Sequence, residues 1–205
     1  MIVSVIEALN TKKKKIVMDN GLMFALYNGE VRRYKLEEGT MLSDERYEEI
    51  LETILKKRAR ERMMYLLKGG DYTEHQIRQK LRQGFYPEEA IEEALCFGRQ
   101  YHYLDDCRYA RIYAEQKAAR LSRRMLSLKL SEKGIAREII DSTLEKLETG
   151  EEDALDALIH KKNIDFSGLT WQERQKICAY FMRKGFAYEN ILKKINEITG
   201  IDYLT

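Results

Sequence analysis

The chain has 205 residues, 44% hydrophobic and 34% charged, a balance that excludes an intrinsically disordered segment and suits one elongated or two compact domains. A formal net charge of +2 excludes any argument from bulk charge, and a single proline, Pro87, excludes frequent helix interruption. The three cysteines, Cys96, Cys107 and Cys178, are isolated and have no metal-ligand spacing, so reduced thiols in a cytoplasmic protein are expected.

The apolar start, Met1 to Leu9, is interrupted by Ser4 and Glu7 and followed by Lys12 to Lys15. A secretory leader places its charges first, so none is expected. No apolar run reaches the roughly 20 residues of a membrane span. Ile2 to Ile6 is rich in β-branched residues. Lys15 to Met18 precedes Asp19-Asn20-Gly21, and Leu22 to Tyr27 precedes Asn28-Gly29. Asn-Gly tolerates the positive φ angles of tight hairpins. Residues 1–42 are therefore predicted to hold a small antiparallel β element of about three strands, packed on helices because a lone small sheet is marginal. Glu30 to Lys35 reads equally as strand or short helix.

From Ser43 the period becomes helical. Tyr47, Ile50, Leu51, Ile54 and Leu55 form a stripe, and the helix is expected to end near Gly69-Gly70. An internal repeat follows. Leu81, Leu130 and Phe181 align, with spacings of 49 and 51 residues. Four residues earlier stand Ile77, Leu126 and Ile177; ten later, Ile91, Ile140 and Ile191; fourteen later, Leu95, Leu144 and Ile195. Between them fall Gly84-Phe85, Gly134-Ile135 and Gly185-Phe186, where each glycine is expected to take a left-handed helix-ending conformation. A further helix precedes each pair, near 43–68, 105–119 and 151–161. The prediction is mainly α: tandem three-helix modules in an elongated, curved array, at 43–98, 99–148 and 149–205. Capping boxes are expected at Thr73 with Gln76, Thr149 with Glu152 and Thr170 with Glu173, and an N-cap at Asp105 or Asp106.

Tyr103-Leu104-Asp105-Asp106-Cys107-Arg108-Tyr109-Ala110 resembles the motif G-Y-L-D-D-x-x-[FY]-A of the RecX family of recombinase regulators, with His102 where the family often has glycine. Lys129-Leu130-Ser131-Glu132-Lys133-Gly134-Ile135 is similar to its K-L-x-x-K-G motif. Thr73, Ile77 and Lys80-Leu81 resemble a third motif, with Gln76 in place of the acid. The resemblance runs from about Glu61 onward. It implies a non-enzymatic regulator without cofactors that binds the RecA–DNA filament, chiefly inhibiting ATP hydrolysis and strand exchange, as a monomer and without a membrane.

Charge distribution supplies candidate contacts. Arg108, Arg111, Lys117, Arg120, Arg123, Arg124, Lys129, Lys133 and Arg137 form a basic band opposed only by Glu115 and Glu132. An acidic stretch follows from Asp141 to Asp156. The first eight cations are the expected filament or DNA contacts. Arg123 and Arg124 follow Ser122, an expected N-cap, and so occupy a first turn that disfavours cations; Glu74, Glu152 and Glu173 hold such positions elsewhere. The pair either forms an anion site with the helix amides or pairs with Glu145 or Glu148. Asp105 and Asp106 read as caps rather than metal or acid–base carboxylates. Tyr109 and Tyr113 read as core, although tyrosines can stack on bases. Phe97, Tyr101 and Leu104 read as a junction between modules. Two rivals are a protein-interaction scaffold without DNA and a helix-turn-helix operator binder, which usually needs a dimer.

Overall fold

In a computed structural model of the chain, residues 1–148, 150–164, 166 and 168–200 are described. The chain divides into two compact units, Met1–Asp105 and Asp106–Thr205.

In the first unit, β1 (Val3–Ala8), β2 (Lys13–Met18) and β3 (Met23–Tyr27) form an antiparallel sheet in that order. Asn10 and Asn20 build the two turns: Asn10 Oδ1 accepts from the Lys12 and Lys13 amides, and Asn20 Oδ1 from Leu22. Gly21 supplies a φ of +84°. Alternation places Ile16, Met18, Phe24 and Leu26 on the buried face. The second Asn-Gly does not make a hairpin. It lies in a short helix, α1 (Asn28–Arg33). The Glu30 carboxylate accepts from the Tyr27 amide at 2.8 Å and pairs with Arg58, which favours the helical turn. That resolves the ambiguity over Glu30 to Lys35.

The next helix is nearly as expected. α2 (Asp44–Ile50) passes through a π-helical turn, Leu51–Leu55, into α3 (Lys56–Lys68). The wide turn keeps Ile50, Leu51 and Leu55 buried before Ala59 and Met63. α4 (Glu74–Gln83) and α5 (Glu88–Gln100) complete the unit. Thr73 and Gln76 form the expected capping box, with bonds of 3.2 and 3.1 Å. The sheet and helices share one core, in which Phe24, Leu55, Met63, Leu81 and Leu95 are fully buried.

The second unit contains α6 (Asp106–Ala118), α7 (Arg123–Glu132), α8 (Arg137–Glu145), α9 (Glu151–Lys162), α10 (Trp171–Arg183) and α11 (Tyr188–Thr199). Leu130, Ile135 and Ile140 centre one core cluster; Phe181, Phe186 and Ile191 centre another. Thr170 and Glu173 cap α10 reciprocally. Thr149 lies outside the described residues; the N-cap of α9 is Gly150, whose amide donates to Asp153 at 3.2 Å.

The architecture is thus mainly helical, with a small N-terminal antiparallel sheet. Leu81, Leu130 and Phe181 are each fully buried. The repeat's turns need one correction. Gly134 and Gly185 are left-handed, at φ +78° and +95°, but Gly84 is not, at −85°. The left-handed residue of the first repeat is Phe85, at φ +58°. Each left-handed residue stands four positions after the aligned apolar one, so helix length sets the position and glycine only eases it. Gly84 has a different reason to be small: a Cβ there would stand 2.9 Å from the Tyr86 ring.

Candidate functional site

The basic band is carried by α6, α7 and the turns beside them. On α6 the helical period buries Ala110, Ala114 and Ala118, which leaves Arg108 and Arg111 exposed. Lys117 is half-buried near the end of α6, and Arg120 is exposed just beyond it. On α7, Leu126 and Leu130 face the core and Arg124 points outward. Among the described residues, no carboxylate lies within ion-pair distance of Arg111, Lys117, Arg120 or Arg124. Several arginines of the first unit differ: Arg58 pairs with Glu30, Arg78 with Glu88 and Glu92, Arg82 with Glu88, and Arg99 with Glu74.

The far flank of α6 carries Tyr109 and Tyr113, one turn apart, with near-parallel rings whose centroids lie 6.3 Å apart. Both are half-buried against Leu130 and Ile140, as a core role requires. Lys133, at the end of α7, places its ammonium 5.7 and 5.2 Å from the two rings. Lys129 donates to Glu132 at 2.9 Å, and that hydrogen bond raises the lysine's pKa. Lys129 is therefore partly neutralised, as is Arg137 by Asp141 at 3.6 Å. The acidic stretch also has internal partners: Glu152 pairs with Lys193 and Asp156 with Lys194, at 3.4 and 2.7 Å.

Arg123 and Arg124 occupy the first turn of α7, with Ser122 as N-cap accepting from the Met125 amide at 3.2 Å. Neither arginine pairs with Glu145 or Glu148 among the described residues. Arg123 donates to the Leu147 carbonyl, beyond the end of α8, at 2.9 Å, in place of a carboxylate partner. The start of α7 is also covered. Ser122 is fully buried, its amide donates to the Lys184 carbonyl at 3.1 Å, and Gly185 packs so closely that a Cβ would stand 2.7 Å from Met125 Cβ. The Met125 amide is thus taken by the Ser122 hydroxyl, and the α10–α11 turn packs on this helix start. Arg124 keeps a free outward guanidinium among the described residues. Sequence spacing could not reveal this, because Lys184 and Gly185 lie some sixty residues away along the chain.

The motif residues divide between structural tasks. Leu104 is buried in the first unit's core, and a Cβ on Gly98 would meet its Cδ1 at 2.7 Å. Gly98 inside α5 was the available signal for that close approach. His102 has φ +56°, which explains a preference for glycine there. Asp105 stands immediately before α6 and Asp106 opens it, the positions where a carboxylate favours a helix start. Tyr103 is exposed, Tyr109 half-buried and Ala110 fully buried. Phe97 is half-buried, Tyr101 is 54% exposed and Leu104 is buried. Among the described residues, no three metal-ligating side chains converge, and no helix is long and apolar enough to cross a membrane.

Comparison with known proteins agrees with this architecture. The first, second and third three-helix domains of RecX match residues 59–97, 105–144 and 150–195. Regulatory protein RecX of Caldanaerobacter subterraneus is 29% identical over 96% of this chain and 98% of its own. That of Clostridium acetobutylicum is 26% identical over 94% of each. A crystal structure of regulatory protein RecX has a TM-score of 0.57 at 23% identity, covering 96% of this chain and 98% of that one. RecX from Lactobacillus salivarius has a TM-score of 0.59 at 22% identity, covering 71% of this chain and 97% of its own. At those identities the two structures establish shared fold.

Proposed function

The chain belongs to the RecX family of regulatory proteins, and from that premise we propose that it binds the RecA–DNA filament and restrains ATP hydrolysis and strand exchange by stoichiometric occupancy, with no turnover of its own. The observation that carries the reading is the exposed set Arg111, Arg120 and Arg124, cations held on α6, α7 and the turn between them without a carboxylate partner among the described residues. Cations left in this state retain their attraction for phosphate or for an acidic protein surface. Lys117 adds to the set. Arg108 extends the exposed surface, and Lys133 with Tyr109 and Tyr113 borders it. Arg123 and Lys129 contribute less, because each already donates to an internal acceptor. Asp105, Asp106 and Ala110 act by building the helix that presents the band, and Leu104 by packing the first unit's core.

The test is RecA ATPase and strand exchange on single-stranded DNA, with the chain titrated to the filament's own concentration. Inhibition is expected to saturate near stoichiometric addition and to weaken with salt. Arg111→Glu with Arg124→Glu is expected to weaken binding at least about tenfold, as loss of two phosphate contacts does at moderate salt. A wild-type chain that leaves RecA unchanged and binds no filament would refute the function. A double variant as tight as wild type at several salt concentrations would refute the basic-band contact.

A further inference from the structure

A second surface, in the first unit, has the chemistry of a nucleic-acid platform. Lys57, Met64 and Lys68 lie 7 and 11 residues apart along α3, which places them on one helix face. The two lysines are therefore about 16 Å apart along the axis. Between them runs an open groove of about 500 Å³, walled by Met64, Tyr65 and Phe97. Tyr65 is 68% exposed, and the Arg62 guanidinium lies 5.4 Å from its ring centre. Phe97 continues into Tyr101, whose ring centre is 4.6 Å away, and Tyr103, at 6.2 Å. Tyr103 is 43% exposed, and its ring is within 24° of parallel with that of Tyr101.

Two features give this surface that chemistry. Large aromatic rings stand in solvent beside a core able to bury Phe24, Tyr34 and Tyr47. The neighbouring cations Lys57, Arg62 and Lys68 also have no carboxylate within ion-pair distance among the described residues, although Arg58, Arg78, Arg82 and Arg99 are all paired. Arg60 at the groove is paired with Glu93, and Glu61 is the single carboxylate among the described lining residues. Rings accept the faces of unstacked bases, and free lysines and Arg62 accept the phosphates between them. A duplex hides its base faces within the stack, so the same surface offers it only the cations.

We propose that this α3–α5 face binds single-stranded DNA directly, with bases on Tyr65, Tyr101 and Tyr103 and the backbone on Lys57 and Lys68. The contact is separate from the filament contact proposed for the second unit and needs no recombinase.

The experiment measures fluorescence anisotropy of labelled oligothymidylate, and of a duplex of equal length, with the full chain and no RecA present. Wild type is expected to prefer the single strand. Tyr65→Ala with Tyr101→Ala should weaken that binding about tenfold or more, as loss of stacking by two rings does, while duplex binding changes little. Tyr65→Phe with Tyr101→Phe should restore it, because the ring and not the hydroxyl makes the contact. Both rings are exposed, so thermal melts of the variants should match wild type. Failure of wild type to bind oligothymidylate would overturn the proposal, as would alanine variants that bind it unchanged. Alanine variants that bind the oligonucleotide normally but lose affinity for DNA-free RecA would identify the face as a protein dock and overturn it too. Since RecA is absent from the first assay, these failures are distinct from failure of the filament reading.

Discussion

The Arg123 guanidinium donates to the Leu147 carbonyl at 2.9 Å, so a cation disfavoured at the start of α7 is held beyond the end of α8, where the helix dipole favours it. The neighbouring Arg124 faces solvent. Two adjacent arginines that look equivalent in sequence therefore have different work. One ties the α8 terminus to α7, and the other is available to a partner.

Separate substitutions should show the division. Arg123→Ala removes a charge-assisted hydrogen bond and should cost about 1–2 kcal/mol in urea unfolding. Arg124→Glu should leave stability level or raise it by about 0.3–1 kcal/mol, because an acid suits a first turn, while weakening filament binding. A matched loss of stability in both variants would contradict the assignment.

Gly185 is expected to be the least replaceable of the repeat glycines. Its φ of +95° disfavours any side chain, and a Cβ would press on Ser122 and Met125. Gly185→Ala should cost more than the ~1 kcal/mol of the backbone conformation alone. Gly134→Val should cost at least ~1 kcal/mol for its φ of +78°. Thermal melting of the two variants, with Gly185→Ala no worse than wild type, would show that the α10–α11 turn does not seat on α7.

The caps should differ by burial. Thr73 is fully buried and Thr170 is exposed, though both form reciprocal boxes. Thr73→Ala should cost toward the upper end of about 0.5–2 kcal/mol and Thr170→Ala toward the lower end. Denaturant midpoints measured side by side decide it; an equal loss would remove burial as the reason.

Glu30 provides the acid-dependent test. Burial raises its pKa, but the hydrogen bond from Arg58, the Tyr27 amide and the charges of Arg58 and Lys13 outweigh that and leave it below the usual glutamate value. A carboxylate lowered in the folded state contributes stability above its unfolded pKa and loses it as pH falls through the folded one. Glu30→Gln should therefore be less stable than wild type at pH 7, with the gap closing as pH drops below about 4. A gap constant from pH 7 to pH 3 would mean that the lost contribution does not depend on ionisation.

Much of the fold was legible because its signals are local. A period of 3.6 residues, an Asn-Gly turn, a Thr with Gln or Glu three residues on, and a recurrence near fifty residues each depend on neighbours along the chain. Those signals placed the three-helix repeats, the caps at Thr73 and Thr170, and the core positions Leu81, Leu130 and Phe181. The same locality made Asn28-Gly29 look like a hairpin and Gly84 like a left-handed terminus. A distant arginine holding Glu30, and a glycine standing one residue ahead of the left-handed position, decided otherwise. The basic band was visible as composition, but which of its members remain free was not. Pairing depends on which side chains meet across helices, so only packing could assign Arg123 to Leu147, cover Ser122 with Lys184 and Gly185, and leave Arg111, Arg120 and Arg124 exposed.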